Sequence, residues 1–306
     1  MTWLAWRQFR AQAALAAALT AVVAAVLVAT RHHIATVDEE DLSTFYKSLQ
    51  LLGTGLVGVP AFIGAFWGAP LLAREIEAGT HRLVWTQSIT RRRWLAVKLA
   101  VIAAVTVVLT AAFSLLFTWW SLPFDETGNR IGTANFGQRG IAPVAYALFA
   151  LALGTLLGAV IRRPLPAMAG TLAGFLVVRF SFQLFVRPNI LHTVTANRPS
   201  VMFGSVEGSA STAGAWITSG RTVDAAGNPV SGGSIDNMLA EACNLTRDSS
   251  DGAWDACAHH LGIHDVVTMH PASQFWTLQA WETAGFLALA ATLAAATFWW
   301  IRHRTS

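Results

Sequence analysis

Charge is scarce in this chain. Asp, Glu, Lys and Arg together supply 12% of its 306 residues, about half the share of an ordinary soluble domain. With 54% hydrophobic residues and a mean hydropathy of +0.48, this excludes a soluble globular protein and predicts a polytopic membrane protein. Lysine is scarcer still: only Lys47 and Lys98 occur, after Tyr46 and Val97. A phosphate-binding P-loop needs Gly-Lys followed by Ser or Thr, so none exists here and any ATP must be hydrolysed on another chain. Carboxylates are nearly absent from the apolar runs, Glu282 being the exception, which removes the buried acids that proton-coupled transport uses. There is no pair of intramembrane aspartates and no nucleophile with a base in reach. That argues against an enzyme acting within this chain. Internal repeats of roughly 20 to 50 residues are missing as well.

What is present is six apolar runs, residues 11–30, 49–72, 94–120, 140–161, 165–186 and 275–301. Each reaches the about 20 residues that cross a bilayer. A segment in lipid must satisfy its own backbone hydrogen bonds, so each run is predicted to be a helix. The expected fold class is an all-α polytopic membrane protein with six transmembrane helices. The first run is read as a retained span, because it is too long for a signal peptide and lacks a small-residue cleavage site. Basic residues gather in alternate flanks: Arg7 and Arg10, then Arg74, Arg82, Arg91, Arg92, Arg93 and Lys98, then Arg162 and Arg163, then Arg302 and Arg304. By the positive-inside rule these flanks, and both termini, are cytoplasmic. The net charge of +4 and the pI near 9.7 come largely from this face, which lies against anionic lipid and requires no nucleic-acid partner.

Ahead of the first run, MTWLAWRQFR carries Trp3, Trp6 and Phe9 near helical spacing beside Arg7 and Arg10. It predicts an N-terminal interfacial helix, the alternative being a frayed start of the first span. Glycines four apart, Gly64 with Gly68, Gly154 with Gly158 and Gly170 with Gly174, predict close helix packing, with a dimer contact as the alternative. Pro60 and Pro70 predict bends in the second span.

Residues 187–274 change character, with Gly, Ser, Thr, Asn and Asp between short apolar pieces. They are read as a small extracytoplasmic domain between helices 5 and 6, dividing the chain into 1–186, 187–274 and 275–306. GNPVSGG predicts a turn between short strands, and DNMLAEACNL a short helix. Cys243 and Cys257 both fall in this domain. Outside the cell they are expected to form a disulfide, worth roughly 3 kcal/mol for a loop of this length; the alternative is two free thiols. His260 and His264 have the i, i+4 spacing of a helical metal site, but with no HExxH pattern they are read as structural or exposed histidines rather than as ligands.

Arg179 lies eight residues before Arg187, about 12 Å below the outer edge of the fifth span at 1.5 Å per residue. Glu282 lies at comparable depth in the sixth. The two either form an ion pair between spans or snorkel separately to the outer interface.

The longest cytoplasmic connection, residues 73–94, holds more than the arginines that anchor a loop inside. Gly79 is placed to stop a helix, Thr90 to cap the next, and Glu75 and Glu77 add acidic charge that anchoring does not need. Here the sequence resembles the permease subunits of ATP-binding-cassette exporters of the type-2 class, as found in actinobacteria. The resemblance rests on WLAWRQFRAQ and above all on REIEAGTHRLVWTQSITRRRWLAVK, with the six-span plan and the large outer loop before the last span in agreement. It implies a multi-pass protein of the bacterial plasma membrane, not itself an enzyme, in which two permeases pair with two cytoplasmic ATPases that carry ATP and Mg, no cofactor being bound by this chain. It also implies that the 73–94 connection is a coupling helix, with Glu75, Glu77, Gly79, Thr80, His81 and Arg82 as coupling residues and Arg91, Arg92 and Arg93 supporting them. Phe62, Phe66, Trp67, Phe175 and Phe182, with Arg179 and Glu282, are then candidate walls of a path for an apolar or amphipathic cargo. The alternative from another class is a membrane-anchored receptor or metal-binding protein acting through its outer domain.

Overall fold

In the computed structural model the described residues are 2–34, 55–78, 90–125, 131–199, 214–230, 232–246 and 249–303. They are mostly helical. In chain order the helices are α1 (Thr2–Ile34), α2 (Val59–Ile63), α3 (Ala69–Glu77), α4 (Arg91–Ser121), α5 (Thr133–Phe136), α6 (Ala142–Ile161), α7 (Pro164–Ser181), α8 (Gly232–Cys243), α9 (Asp251–His260) and α10 (Phe275–His303). The chain divides into two units. The first comprises Met1–Leu122, Thr133–Arg187 and Trp276–Ser306, and the second Pro123–Gly132 and Pro188–Phe275.

Among the described residues five helices are long and apolar enough to cross a membrane: Phe9–His32, Arg92–Ser121, Ala142–Ile161, Pro164–Asn189 and Ala272–His303. The segment expected to be a separate interfacial helix is instead the first turns of α1. No Gly or Pro separates it from the apolar run, and the alanines and leucines between are strong helix formers. The second predicted span is described from Gly55 onward and is not one regular helix. It runs as α2, a π-helical turn at Gly64–Gly68, and α3. Pro60 sits in the first turn of α2, where a missing N–H leaves no bond unmade, whereas Pro70 lies within the continuous helical run, directly after the π turn. The widened π turn before Pro70 relieves the clash its ring would otherwise make with the carbonyl four residues back.

The α6 helix forms the centre of the first unit. Tyr146, Phe149 and Ala150 on α6 pack with Phe175 of α7 and Phe286 of α10. Two of the three glycine pairs, Gly64 with Gly68 and Gly154 with Gly158, are used inside the chain: a Cβ on Gly154 would meet the Gly64 carbonyl oxygen, and one on Gly64 would meet the Ala150 carbonyl. Backbone is therefore packed against backbone. Gly154→Val should cost about 1–3 kcal/mol by overpacking. Gly174→Val, whose nearest neighbour is the movable Leu153 Cδ2 at 3.3 Å, should cost less. Thermal unfolding of the two variants in detergent checks the order, and a lower melting temperature for Gly174→Val would refute this packing.

The second unit adds a sheet to a mostly helical chain, a departure from the all-α fold class that agrees with the short strands expected beside GNPVSGG. Its three-stranded antiparallel sheet has the order β1-β3-β2, with β1 (Val194–Pro199), β2 (Trp216–Val223) and β3 (His264–His270). Val194 pairs with Met269 and Val223 with His264, and β2 carries a bulge between Ile217 and Ser219. These strands are short and interrupted by Gly, Asn and Arg, so their alternation is faint in the sequence. Ile235 and Leu239 of α8 pack with Trp254 and Ala258 of α9, and Cys243 and Cys257 are joined as a disulfide, Cα to Cα 6.2 Å. The predicted turn at GNPVSGG is present, with Gly227 at φ +86°, but it leads from β2 through a Val223–Pro229 bridge into α8 and not into another strand. Backbone and side-chain donors of Asn228 hold the Asp224 carboxyl below the usual carboxylate range. The histidine pair is lost as a helical metal site: His260 ends α9, Gly262 turns the chain at φ +71°, and His264 opens β3.

Candidate functional site

The end of the first unit formed by α3 and α4 flanks the expected coupling connection. Thr90 caps α4, its hydroxyl accepting from the Arg93 N–H at 3.4 Å, which satisfies one of the orphan donors of a helix start. Leu72 of α3, Trp94 and Leu95 of α4, Ala159 of α6 and Ile301 of α10 form one buried cluster there. Lys98 donates to Glu75 Oε1, linking α4 to α3, and its ammonium lies over the Trp94 ring, 4.8 Å from the centroid. Lys98 is only 8% exposed, so the ion pair is largely shielded from water. The two helices that enter and leave the connection are thus joined by a charge pair and a shared apolar cluster. Glu77, Arg92 and Arg93 are exposed on this end. Gly79, Thr80, His81 and Arg82 lie outside the described residues, as does the side chain of Arg91.

A second constellation is buried at the far end of the same unit. Glu282 of α10 is fully buried and accepts four hydrogen bonds. Arg187 Nε donates to Oε2 at 2.8 Å and Arg187 Nη2 to Oε1 at 2.9 Å. Arg179 Nη1 donates to Oε1 at 3.2 Å and the Tyr146 hydroxyl at 2.5 Å. Arg179 also stacks over Tyr146, and Arg187 over Phe136, each 4.3 Å from the ring centroid. Snorkelling is excluded, since Arg179 and Arg187 are buried as deeply as the carboxylate. Two guanidiniums answer one carboxylate. A bidentate arginine is the geometry in which a buried ion pair can offset its desolvation. The room for this is made by Gly137, where a Cβ would stand 2.5 Å from Arg179 Nη2.

Gln279, one turn before Glu282, serves the backbone instead. Its Oε1 accepts from the Ile141 and Ala142 amides at 3.2 and 2.9 Å, and its Nε2 donates to the Phe136 and Arg139 carbonyls at 2.9 and 3.0 Å. The α6 helix has no side-chain cap of its own, so a residue more than a hundred positions away caps it. The cluster and its glutamine act as a rigid clamp on the entrance of α6, because every oxygen of Glu282 and both ends of Gln279 are engaged.

The candidate path residues separate in the structure. Phe62 and Phe66 are 54% and 51% exposed and stack at 6.1 Å, and Trp67 meets Phe9 edge-on at 4.8 Å. Phe175 is fully buried in the core beside Phe149, and Phe182 packs on Phe286. Phe175, Arg179 and Glu282 are therefore interior to the unit and line no open face of it. The sequence alone assigns Lys98, Arg187 and Gln279 to neither site. Lys98 carries signals in the sequence, since it belongs to the basic flank, closes the stretch REIEAGTHRLVWTQSITRRRWLAVK and stands one helical turn after Trp94 in a chain with two lysines, but none of these names its partner.

The family described as ABC-2 membrane transporter related matches over residues 1–187, and the match ends where the first unit gives way to the second. No curated protein and no solved structure matches the chain.

Proposed function

The chain belongs to the ABC-2 membrane transporter related family, and on that premise we propose that it is the transmembrane permease subunit of an exporter driven by a separate cytoplasmic ATPase. The reading has both termini inside the cell, the second unit outside it, and two permeases pairing with two ATPases. The absence of a P-loop in the sequence supports the need for an ATPase partner. The observation that carries the coupling role is the Glu75–Lys98 link between α3 and α4. A push delivered to the connection between two helices tied in this way moves both together, and packed helices pass such a displacement on as a rigid-body shift. Exposed Phe62 and Phe66 support an apolar or amphipathic cargo, whether drug, antibiotic, lipid or peptide.

The test is co-purification and ATP turnover with the cognate ATPase. Glu77→Lys reverses an exposed charge beside the connection and touches no core residue. It should lower permease-stimulated hydrolysis by about tenfold, equivalent to about 1.4 kcal/mol, with unchanged melting. Replacing residues 79–89 by a Gly-Ser linker should abolish complex formation. An ATPase that binds and is stimulated by the linker variant as by the wild type would overturn the coupling role.

A further inference from the structure

The first unit holds a cavity of about 170 Å³ between α1, the π turn, α3 and α4. Phe9, Phe66 and Ile102 give it an apolar wall, and Arg74, Glu75 and Lys98 a charged end. We infer that this cavity binds the headgroup of an anionic phospholipid. Its size decides the class of ligand first. It is close to the roughly 150 Å³ that holds a benzene ring and below the roughly 300 Å³ at which drug-sized pockets begin. A whole amphiphile does not fit, but a phosphodiester group does, provided that its chains remain outside in an apolar medium.

Charge decides the sign. Lys98 is taken by Glu75, and among the described residues Arg74 makes no ion pair, so the charged end carries two cations against one carboxylate. The surplus is a single guanidinium, whose planar fork matches two phosphate oxygens. Position decides the source. Arg74 lies at the end of the unit where Arg92, Arg93 and Arg302 are exposed, and such basic pockets between spans suit anionic headgroups. From Arg74 the helical run leads back to Phe66 and Phe62, eight and twelve residues earlier, roughly 12 and 18 Å along the axis. Those exposed, stacked rings form an apolar track along which an acyl chain can lie. The ligand head meets Arg74 beside Glu75, so lipid occupancy bears directly on the α3–α4 link.

The test uses the full-length chain in nanodiscs of phosphatidylcholine with a minor fraction of phosphatidylglycerol, reading retained lipid by native mass spectrometry without any ATPase. A negative result therefore leaves the permease reading standing. Phosphatidylglycerol should be retained over phosphatidylcholine by about tenfold. Arg74→Gln should bring that preference to near one, while Arg302→Gln, on the same basic end but outside the cavity, should leave it in place. Phe66→Ala should shorten retention of phosphatidylglycerol. Glycerol phosphate, the head without chains, should not compete. No preference in the wild type, an equal loss with Arg302→Gln, or displacement by glycerol phosphate would each overturn the lipid site. Retention of a dodecyl phosphate above that of phosphatidylglycerol would assign the cavity to cargo instead and overturn it too.

Discussion

Glu282→Ala should prevent recovery of the folded first unit, or lower its melting temperature more than any other single change at the buried cluster. The substitution removes the carboxylate on which two fully buried guanidiniums depend. Neither arginine can reach water without unpacking Phe136 or Tyr146, the rings on which they lie. Breaking a buried ion pair from one side costs about 3–5 kcal/mol, because the charge left behind has no partner. That is a large share of the about 5–15 kcal/mol by which a domain is stable. The other variants form a graded series. Glu282→Gln keeps an acceptor but loses the charge and should fall between wild type and alanine. Arg187→Gln should cost more than Arg179→Gln, since Arg187 makes two bonds to the carboxylate and Arg179 one. Melting of the detergent-solubilised variants by size-exclusion fluorescence gives the order. If Glu282→Ala melts with the wild type, the cluster does not hold the unit together.

Gln279→Leu is expected to be nearly as damaging, for a different reason. Leucine keeps the volume, yet it strips partners from two amides at the start of α6 and from two carbonyls at the end of α5 and in the turn that follows it. A buried polar group left unmade costs roughly 1–3 kcal/mol, and three of the four bonds are buried, so the loss is on the order of 3 kcal/mol or more even after partial relaxation. Gln279→Glu separates the two halves of the role. It can still accept from Ile141 and Ala142, but it cannot donate to Phe136 and Arg139. Hydrogen exchange supplies the local readout: protection of the Ile141 and Ala142 amides should be lost in Gln279→Leu and partly kept in Gln279→Glu. Unchanged protection in the leucine variant would show that α6 is capped by other means.

Both predictions rest on residues whose sequence signals were incomplete. Glu282 stood out as a carboxylate in an apolar run, and Arg179 as its match in depth, because charge in hydrocarbon is costly and pairs when it can. A straight-helix count puts Arg187 at the outer edge, whereas in the structure it is the stronger partner of Glu282. Its neighbour Pro188 and the π turn Phe182–Val186 before it shift where its side chain emerges, and a straight-helix count cannot anticipate that. Gln279 is invisible for a plainer reason: its partners are backbone atoms, which every residue has. Of the short strands expected on either side of GNPVSGG, the one before it is present as β2, while β1 and β3 are too short and too interrupted for their alternation to show in the sequence. The five long apolar helices are legible in the sequence because each is long enough for hydropathy to average out local irregularity.

Hydropathy alone determined that the chain is a membrane protein, since lipid allows a spanning segment only if it is apolar and satisfies its own backbone. Two lysines and no Gly-Lys likewise settled that no P-loop lies in this chain. Tertiary structure alone decided which charges meet. Glu75 and Lys98 are 23 residues apart, and Arg187 and Glu282 are 95 apart. Such pairs are selected by how α6 packs against the glycines of the π turn Gly64–Gly68 and against α10, because in a low-dielectric interior a charge must take whichever partner the packing brings within about 3 Å.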